Sequence, residues 1–93
     1  VLDVCPSSVA DPAVLRSAVD RTALWAGRGR KAFLAHPDAI RRQCQFGIVQ
    51  GGTDEALRVE SAQRTVALDF DGYAVGGLSV GEERSEMLHG LDA

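Results

Sequence analysis

The sequence predicts an α/β fold in which short strands alternate with amphipathic helices. Two apolar stretches, Phe46-Gly47-Ile48-Val49 and Tyr73-Ala74-Val75, are each followed closely by a glycine pair, Gly51-Gly52 and Gly76-Gly77. Around them, apolar residues recur at helical spacing. A further apolar stretch, Val1-Leu2-Asp3-Val4, precedes the first helical pattern and reads as the first strand. The order is β-α-β-α-β-α, which implies a parallel sheet with right-handed crossovers. Spacing alone leaves a segment of a barrel and a doubly wound sheet both open.

Each element has its own signals. After the turn at Pro6-Ser7-Ser8, Asp11-Pro12 has the form of a helix start, an acid that can cap free amides and a proline whose fixed φ suits the first turn. Val14, Ala18, Thr22 and Trp25 then recur at helical spacing, with Leu15, Val19 and Ala26 on the adjoining face. Arg16, Arg21, Arg28 and Arg30 gather towards the end of that helix, where the dipole favours cations. Gly27 and Gly29 should weaken the end, and His36-Pro37-Asp38 breaks the pattern before a short helical turn through Arg42.

Gln45 to Gln50 reads as the second strand. Thr53-Asp54-Glu55 opens the next helix with a capping hydroxyl and two acids, and Ala56, Val59, Ala62 and Val66 form its expected buried stripe. Phe70 to Val75 reads as the third strand. Ser79-Val80-Gly81-Glu82 matches a capping box, S-x-x-E, ahead of a last helix whose apolar face is Met87, Leu88 and Leu91.

Composition narrows the function classes. With 45% hydrophobic and 25% charged residues, the chain has the balance of an ordinary globular protein. No apolar run approaches the roughly 20 residues of a membrane span, and the first residues lack the pattern of a signal peptide. A first residue that is not Met, leading straight into a strand-like stretch, points to a piece of a longer chain. A net charge of −3 argues against a stand-alone binder held by phosphate contacts. Cys5 and Cys44 are far apart, with no histidine at zinc-ligand spacing, and read as reduced thiols in a cytoplasmic protein.

The strand ends carry the residues suited to chemistry. Gly76-Gly77-Leu78-Ser79-Val80-Gly81 has the glycine frame of a phosphate loop, but Glu82 and Glu83 stand where that loop needs Lys and Ser or Thr. What remains is exposed backbone at a strand end, suited either to a flat ligand approaching the main chain or to a tight turn with positive φ. Gln50 can donate and accept together, which matches the paired edge of a purine, and Asp3 adds an acceptor for N–H groups. Solvated polar residues flanking strands are the plain alternative. Asp69 and Asp71 read as a solvated turn, His36 and His89 as surface residues, and Trp25 as core. Ser7 and Ser8 lack a histidine and acid arranged for nucleophilic catalysis.

Phe46-Gly47-Ile48-Val49-Gln50-Gly51-Gly52 and the run from Phe70 through Gly76, Gly77, Leu78, Ser79, Val80 and Gly81 to Glu82 resemble the two central motifs of bacterial tRNA-guanine transglycosylases. Asp3-Val4-Cys5 resembles the family's Asp-Glu-Cys, and Thr22-Ala23-Leu24-Trp25-Ala26 its Trp-Ala stretch. The resemblance covers nearly the whole chain. It implies that residues 1–93 are about three consecutive βα units of a TIM (β/α)8 barrel, a partial catalytic domain that recognises the base.

The implied activity is exchange of the wobble guanine of a tRNA anticodon loop for 7-aminomethyl-7-deazaguanine, a queuosine precursor, through a covalent enzyme–RNA intermediate. The resemblance implies that Asp3 and Gln50 bind the purine edge, that the Gly77 amide contacts the purine carbonyl oxygen, and that the Leu78 carbonyl receives the aminomethyl group. Glu82 would steady the turnable peptide between Leu78 and Ser79. Cys5, Gly76 and Val80 complete the implied substrate-binding set, Cys5 and Val80 following the bacterial pattern. The departures are Val4 in place of Glu and a Pro6 to Pro12 stretch without the family's Pro-Tyr-Pro-Ala.

No catalytic residue and no metal ligand is expected within these 93 residues. The family's Asp nucleophile, its general acid/base Asp and its structural zinc ligands belong to other parts of a full-length parent, which the resemblance implies is a cytoplasmic homodimer. A non-catalytic α/β module that binds a purine, or serves only as structure, is the reading from another class.

Overall fold

A computed structural model describes all 93 residues. Helix α1 spans Pro12–Leu34 and α2 Pro37–Arg42; strand β1 is Phe46–Val49, α3 Glu55–Val66, β2 Gly72–Val75 and α4 Arg84–Asp92. β1 and β2 pair in parallel, with Phe46 opposite Gly72 and Val49 opposite Val75. Helix α3 joins them, so β1-α3-β2 is the βαβ unit that the alternating pattern predicts.

The expected first strand does not form. Val1 to Val4 has no ladder partner, because the sheet holds only β1 and β2. Its one backbone bond to α1 runs from the Val4 N–H to the Thr22 hydroxyl at 2.9 Å. Val1 and Leu2 are each 66% exposed, and they border a hollow shared with Trp25, Phe46 and Ile48. Trp25 is half-buried there rather than part of the core.

Helix α1 starts at Pro12 as expected, although the Asp11 side chain makes no capping bond. It runs through Gly27 and Gly29 to Leu34, so the arginines do not collect at its end. Instead Arg16 and Arg30 bond to other elements. Arg16 pairs with Glu60 on α3, and Asp20 receives a 2.7 Å bond from Arg64. Arg30 donates to the carbonyls of Leu68 and Asp69 at 3.2 and 2.6 Å, with its guanidinium 5.4 Å from the centre of the Phe70 ring. These ties fix α1 against the turn that leads into β2.

The core is small: Leu15 and Val19 of α1 meet Leu57 of α3, with Ala10 packed alongside. The buried face of α3 is Leu57, Arg58, Ser61 and Thr65. It is not the expected Ala56, Val59, Ala62 and Val66, of which Val59 and Val66 are exposed. Polar residues can line a buried face when their groups are satisfied. Thr65 donates to the Ser61 carbonyl at 2.7 Å, and the Ser61 hydroxyl accepts from the Gln50 N–H at 2.9 Å.

Gly47 explains the closeness of α3 to the sheet. A Cβ at that position would lie 2.6 Å from both the Phe70 ring and the Thr65 methyl.

Two helix caps also differ from expectation. Asp54, not Thr53, caps α3 by accepting from the Leu57 N–H at 2.9 Å. Helix α4 is capped by Glu83, whose N–H donates to Glu86 at 3.1 Å. Ser79 cannot be that cap, since it lies upstream in the left-handed region at φ 60°. The buried residue of α4 is Gly90, while Leu88 and Leu91 are half-exposed. No helix is long and apolar enough to cross a membrane.

Candidate base-recognition site

Parallel pairing sets the C-terminal ends of β1 and β2 side by side, and the Gly76 N–H extends the ladder to the Val49 carbonyl at 2.8 Å. The residues that follow each strand are therefore neighbours: Gln50-Gly51-Gly52 from β1 and Gly76-Gly77-Leu78 from β2. This is the edge where parallel α/β sheets build their sites.

Gln50 sits at the centre and is 0% exposed, buried rather than displayed on an open rim. Its backbone N–H is held by Ser61, and its side-chain Nε2 donates to the Asp3 carboxylate at 2.8 Å. A carboxylate only accepts, so this bond fixes which end of the carboxamide faces Asp3. The opposite end, Oε1, is buried without a donor. Buried acceptors almost always have partners, and one left without marks a place a ligand can satisfy.

The main chain of the second loop covers this carboxamide. A Cβ on Gly76 would lie 2.7 Å from Gln50 Nε2, and one on Gly77 would lie 2.9 Å from Gln50 Oε1. Gly77 also has φ +71°, a conformation L side chains rarely adopt. The positive φ anticipated for a tight turn is therefore present at Gly77, and the Gln50 side chain packs closely on the same main chain. Asp3, Gln50 and Gly77 come together in space from three separate stretches of chain.

The rest of the loop is braced from outside. The Glu82 carboxylate accepts from the N–H groups of Ser79 and Val80 at 2.8 and 2.9 Å. The Val80 carbonyl accepts from the Ser8 N–H and the Ser7 hydroxyl, and Leu78 is half-buried. Burial opposes the charge on Glu82, but bonds from its own backbone N–H and those of Val80 and Ser79 outweigh it. The nearby Ser8 hydroxyl pulls the same way, although it makes no hydrogen bond of normal geometry. The carboxyl is held below its ordinary range. The sequence had placed this carboxylate against backbone amides; they are loop amides and not those of a helix.

Arg58 was not anticipated. It is 4% exposed, and it donates from Nη1 to the Gly52 carbonyl at 2.6 Å and from Nη2 to the Gly76 carbonyl at 2.8 Å. Burial lowers its pKa from the ordinary value while the Glu82 charge pulls the other way. A signal did exist: Arg58, Ser61 and Thr65 recur at helical spacing, a polar stripe on one face of α3.

Other anticipated residues make no hydrogen bond to this cluster. Cys5 is exposed, with a free thiol that hydrogen-bonds to none of it, and Cys44 is likewise free and exposed. His36 is exposed, and His89 Nε2 lies 3.7 Å from Glu55 on the surface, a partner not foreseen. Asp71 accepts from the Gln45 N–H at 2.8 Å, and so braces the start of the sheet rather than being merely solvated. No three His, Cys, Asp or Glu side chains cluster to hold a metal ion, so the residues of this chain do not fit a zinc site.

All of residues 1–93 match the family described as Queuine tRNA-ribosyltransferase. The chain belongs to the queuine tRNA-ribosyltransferase family. Among curated relatives, the queuine tRNA-ribosyltransferase of Solidesulfovibrio magneticus is 51% identical over 94% of this chain. That of Thermotoga maritima is 49% identical over 95%, and that of Listeria monocytogenes 48% over 97%. The matched segment spans only 22%, 22% and 23% of those relatives' own lengths.

Proposed function

We propose that this chain supplies purine recognition to a tRNA-guanine transglycosylase, as about three consecutive βα units of a (β/α)8 barrel, residues 1–93. The parent enzyme exchanges the wobble guanine of a tRNA anticodon loop for 7-aminomethyl-7-deazaguanine. The single observation that carries the reading is the buried Gln50 carboxamide, tied to Asp3 at one end and lacking a donor at the other.

A guanine-type base offers N–H groups to both acceptors, Asp3 and Gln50 Oε1, from one flat edge. The Gly77 N–H donates to the purine carbonyl oxygen, and the Leu78 carbonyl accepts from the aminomethyl group. Glu82, holding the Ser79 and Val80 amides, fixes which way the Leu78-Ser79 peptide faces. Gly76 admits the close approach, while Val80 and Cys5 border the base. The Gln50 side chain is fully covered, so the base reaches it by displacing the Asp3 contact.

Attack on the ribose, the covalent RNA intermediate and the structural zinc fall to residues outside this segment. The assembled enzyme is a cytoplasmic homodimer that takes tRNA, and the 93 residues alone do not catalyse exchange.

Base exchange tests the reading. The full-length protein incorporates labelled guanine into tRNA, and Gln50→Ala lowers kcat/KM for guanine by about tenfold or more, the scale of an unpaired buried polar group. Undiminished exchange in a folded Gln50→Ala protein would rule the reading out.

A further inference from the structure

We infer that Arg58 is a positioning residue of the base site, which aims the Gly77 N–H by gripping the other end of the same peptide group. This rests on the base-site reading above and adds to it the group that sets selectivity for a 6-oxo purine.

The inference follows from peptide geometry. The Gly76 carbonyl and the Gly77 N–H belong to one planar peptide, and in a trans peptide they point in opposite directions. No peptide bond in this chain is cis. Arg58 Nη2 holds the Gly76 carbonyl at 2.8 Å, so the Gly77 N–H faces away from the guanidinium. Without that grip little would hold the plane, because glycine at positions 76 and 77 imposes few limits on rotation.

The second arm makes the grip rigid. Nη1 of the same guanidinium holds the Gly52 carbonyl at 2.6 Å, so both glycine-pair loops are bound to one planar group. A guanidinium presents its donors in a fixed fork, whereas an ammonium has no such plane. Arg58 is 4% exposed, and a charge so buried is retained when its bonds fix a conformation. Its position on α3 also shares a face with Ser61, which holds the Gln50 N–H. One helix face thereby holds both the Gln50 main chain and the peptide that carries the amide donor.

A residue needed only for folding would weaken the binding of all purines alike. A residue that aims the Gly77 N–H affects only purines with an oxygen at position 6. Guanine and 2-aminopurine differ by that oxygen and by the N1 proton that accompanies it, a second difference that is the same in wild type and in the Arg58 variants. The ratio of their affinities can therefore be compared by calorimetry in full-length wild type, Arg58→Lys, Arg58→Met and Gln50→Ala. Both Arg58 variants are expected to lose about tenfold in guanine affinity, the scale of one misaligned hydrogen bond. Affinity for 2-aminopurine is expected to stay within about twofold, so the preference collapses.

Retained guanine preference in a folded Arg58 variant, or equal loss for both purines, would overturn the inference. Arg58→Lys keeps the charge and decides the matter if Arg58→Met does not fold. Gln50→Ala separates the two ideas: unchanged affinity for both purines there refutes the base site itself, whatever Arg58 does.

Discussion

The Gln50 carboxamide donates to the Asp3 carboxylate at 2.8 Å across 47 positions of sequence. That bond joins the extended N-terminal stretch to the end of β1, and it leaves the carboxamide oxygen free inside the protein. A buried acceptor kept in this state costs stability, and an N–H donor placed against it would recover that cost.

Stability and binding should therefore separate at this residue. Gln50→Met keeps the volume, removes the orphaned oxygen and leaves the backbone bond to Ser61 intact. Its unfolding free energy should fall by no more than about 2 kcal/mol, because Asp3 loses its Gln50 donor while the orphaned oxygen is removed. Guanine binding should be lost. Denaturant titration and calorimetry on the same full-length sample check both outcomes.

Gly77→Ala should damage the site directly. The added methyl would lie 2.9 Å from Gln50 Oε1, at a backbone φ of +71°. The left-handed conformation alone costs about 1–2 kcal/mol for a residue with a Cβ. A lower denaturation midpoint with loss of guanine affinity is expected, whereas a silent substitution would mean that the loop is not held as described.

The loop after Gly77 should respond to acid through Glu82. Its carboxyl is held below the ordinary value of 4.5 by backbone amides, against the opposing effect of burial. A group whose folded pKa is depressed contributes stability that is complete above its unfolded pKa and lost as pH falls through the folded one. The amide resonances of Ser79 and Val80 should therefore titrate with a midpoint below 4.5. Glu82→Gln should abolish that titration. NMR of the two amides across the acid range provides the check.

Gly47→Ala probes the scaffold and not the site. Its methyl would meet the Phe70 ring and the Thr65 methyl at 2.6 Å, forcing α3 away from the sheet. Overpacking of this kind costs about 1–3 kcal/mol. Thermal unfolding of the full-length variant should register the loss, and guanine affinity should fall less than in Gly77→Ala.

Much of this arrangement was legible in the sequence. The apolar runs ending at Val49 and Val75, each followed by glycines, mark β1 and β2 because a short apolar strand and its abrupt end both leave compositional traces. Asp3, Gln50 and Gly77 stood out because a carboxylate, a carboxamide and bare backbone can together frame a flat heterocycle, while solvated flanking residues and a tight turn account for the same letters as plainly.

Other features escaped for physical reasons. Val1 to Val4 reads as a strand, but a strand needs a partner, and pairing is not encoded locally. Hydropathy assigns polar residues to the outside, so the buried Arg58, Ser61 and Thr65 face of α3 was mistaken for its solvent face. Ser79 and Glu82 carry the letters of a helix cap, but φ at Ser79 turns the same carboxylate onto loop amides. Asp54 and Glu83, one residue or a few along, take the capping roles instead.

The most direct test is a crystal structure of the full-length protein with guanine bound. The account predicts one purine edge within about 3 Å, hydrogen-bonding distance, of both Asp3 and the Gln50 carboxamide, with the base's carbonyl oxygen facing the Gly77 N–H. Guanine seated elsewhere, with the Asp3–Gln50 bond intact and Gln50 Oε1 still without a donor, would contradict it.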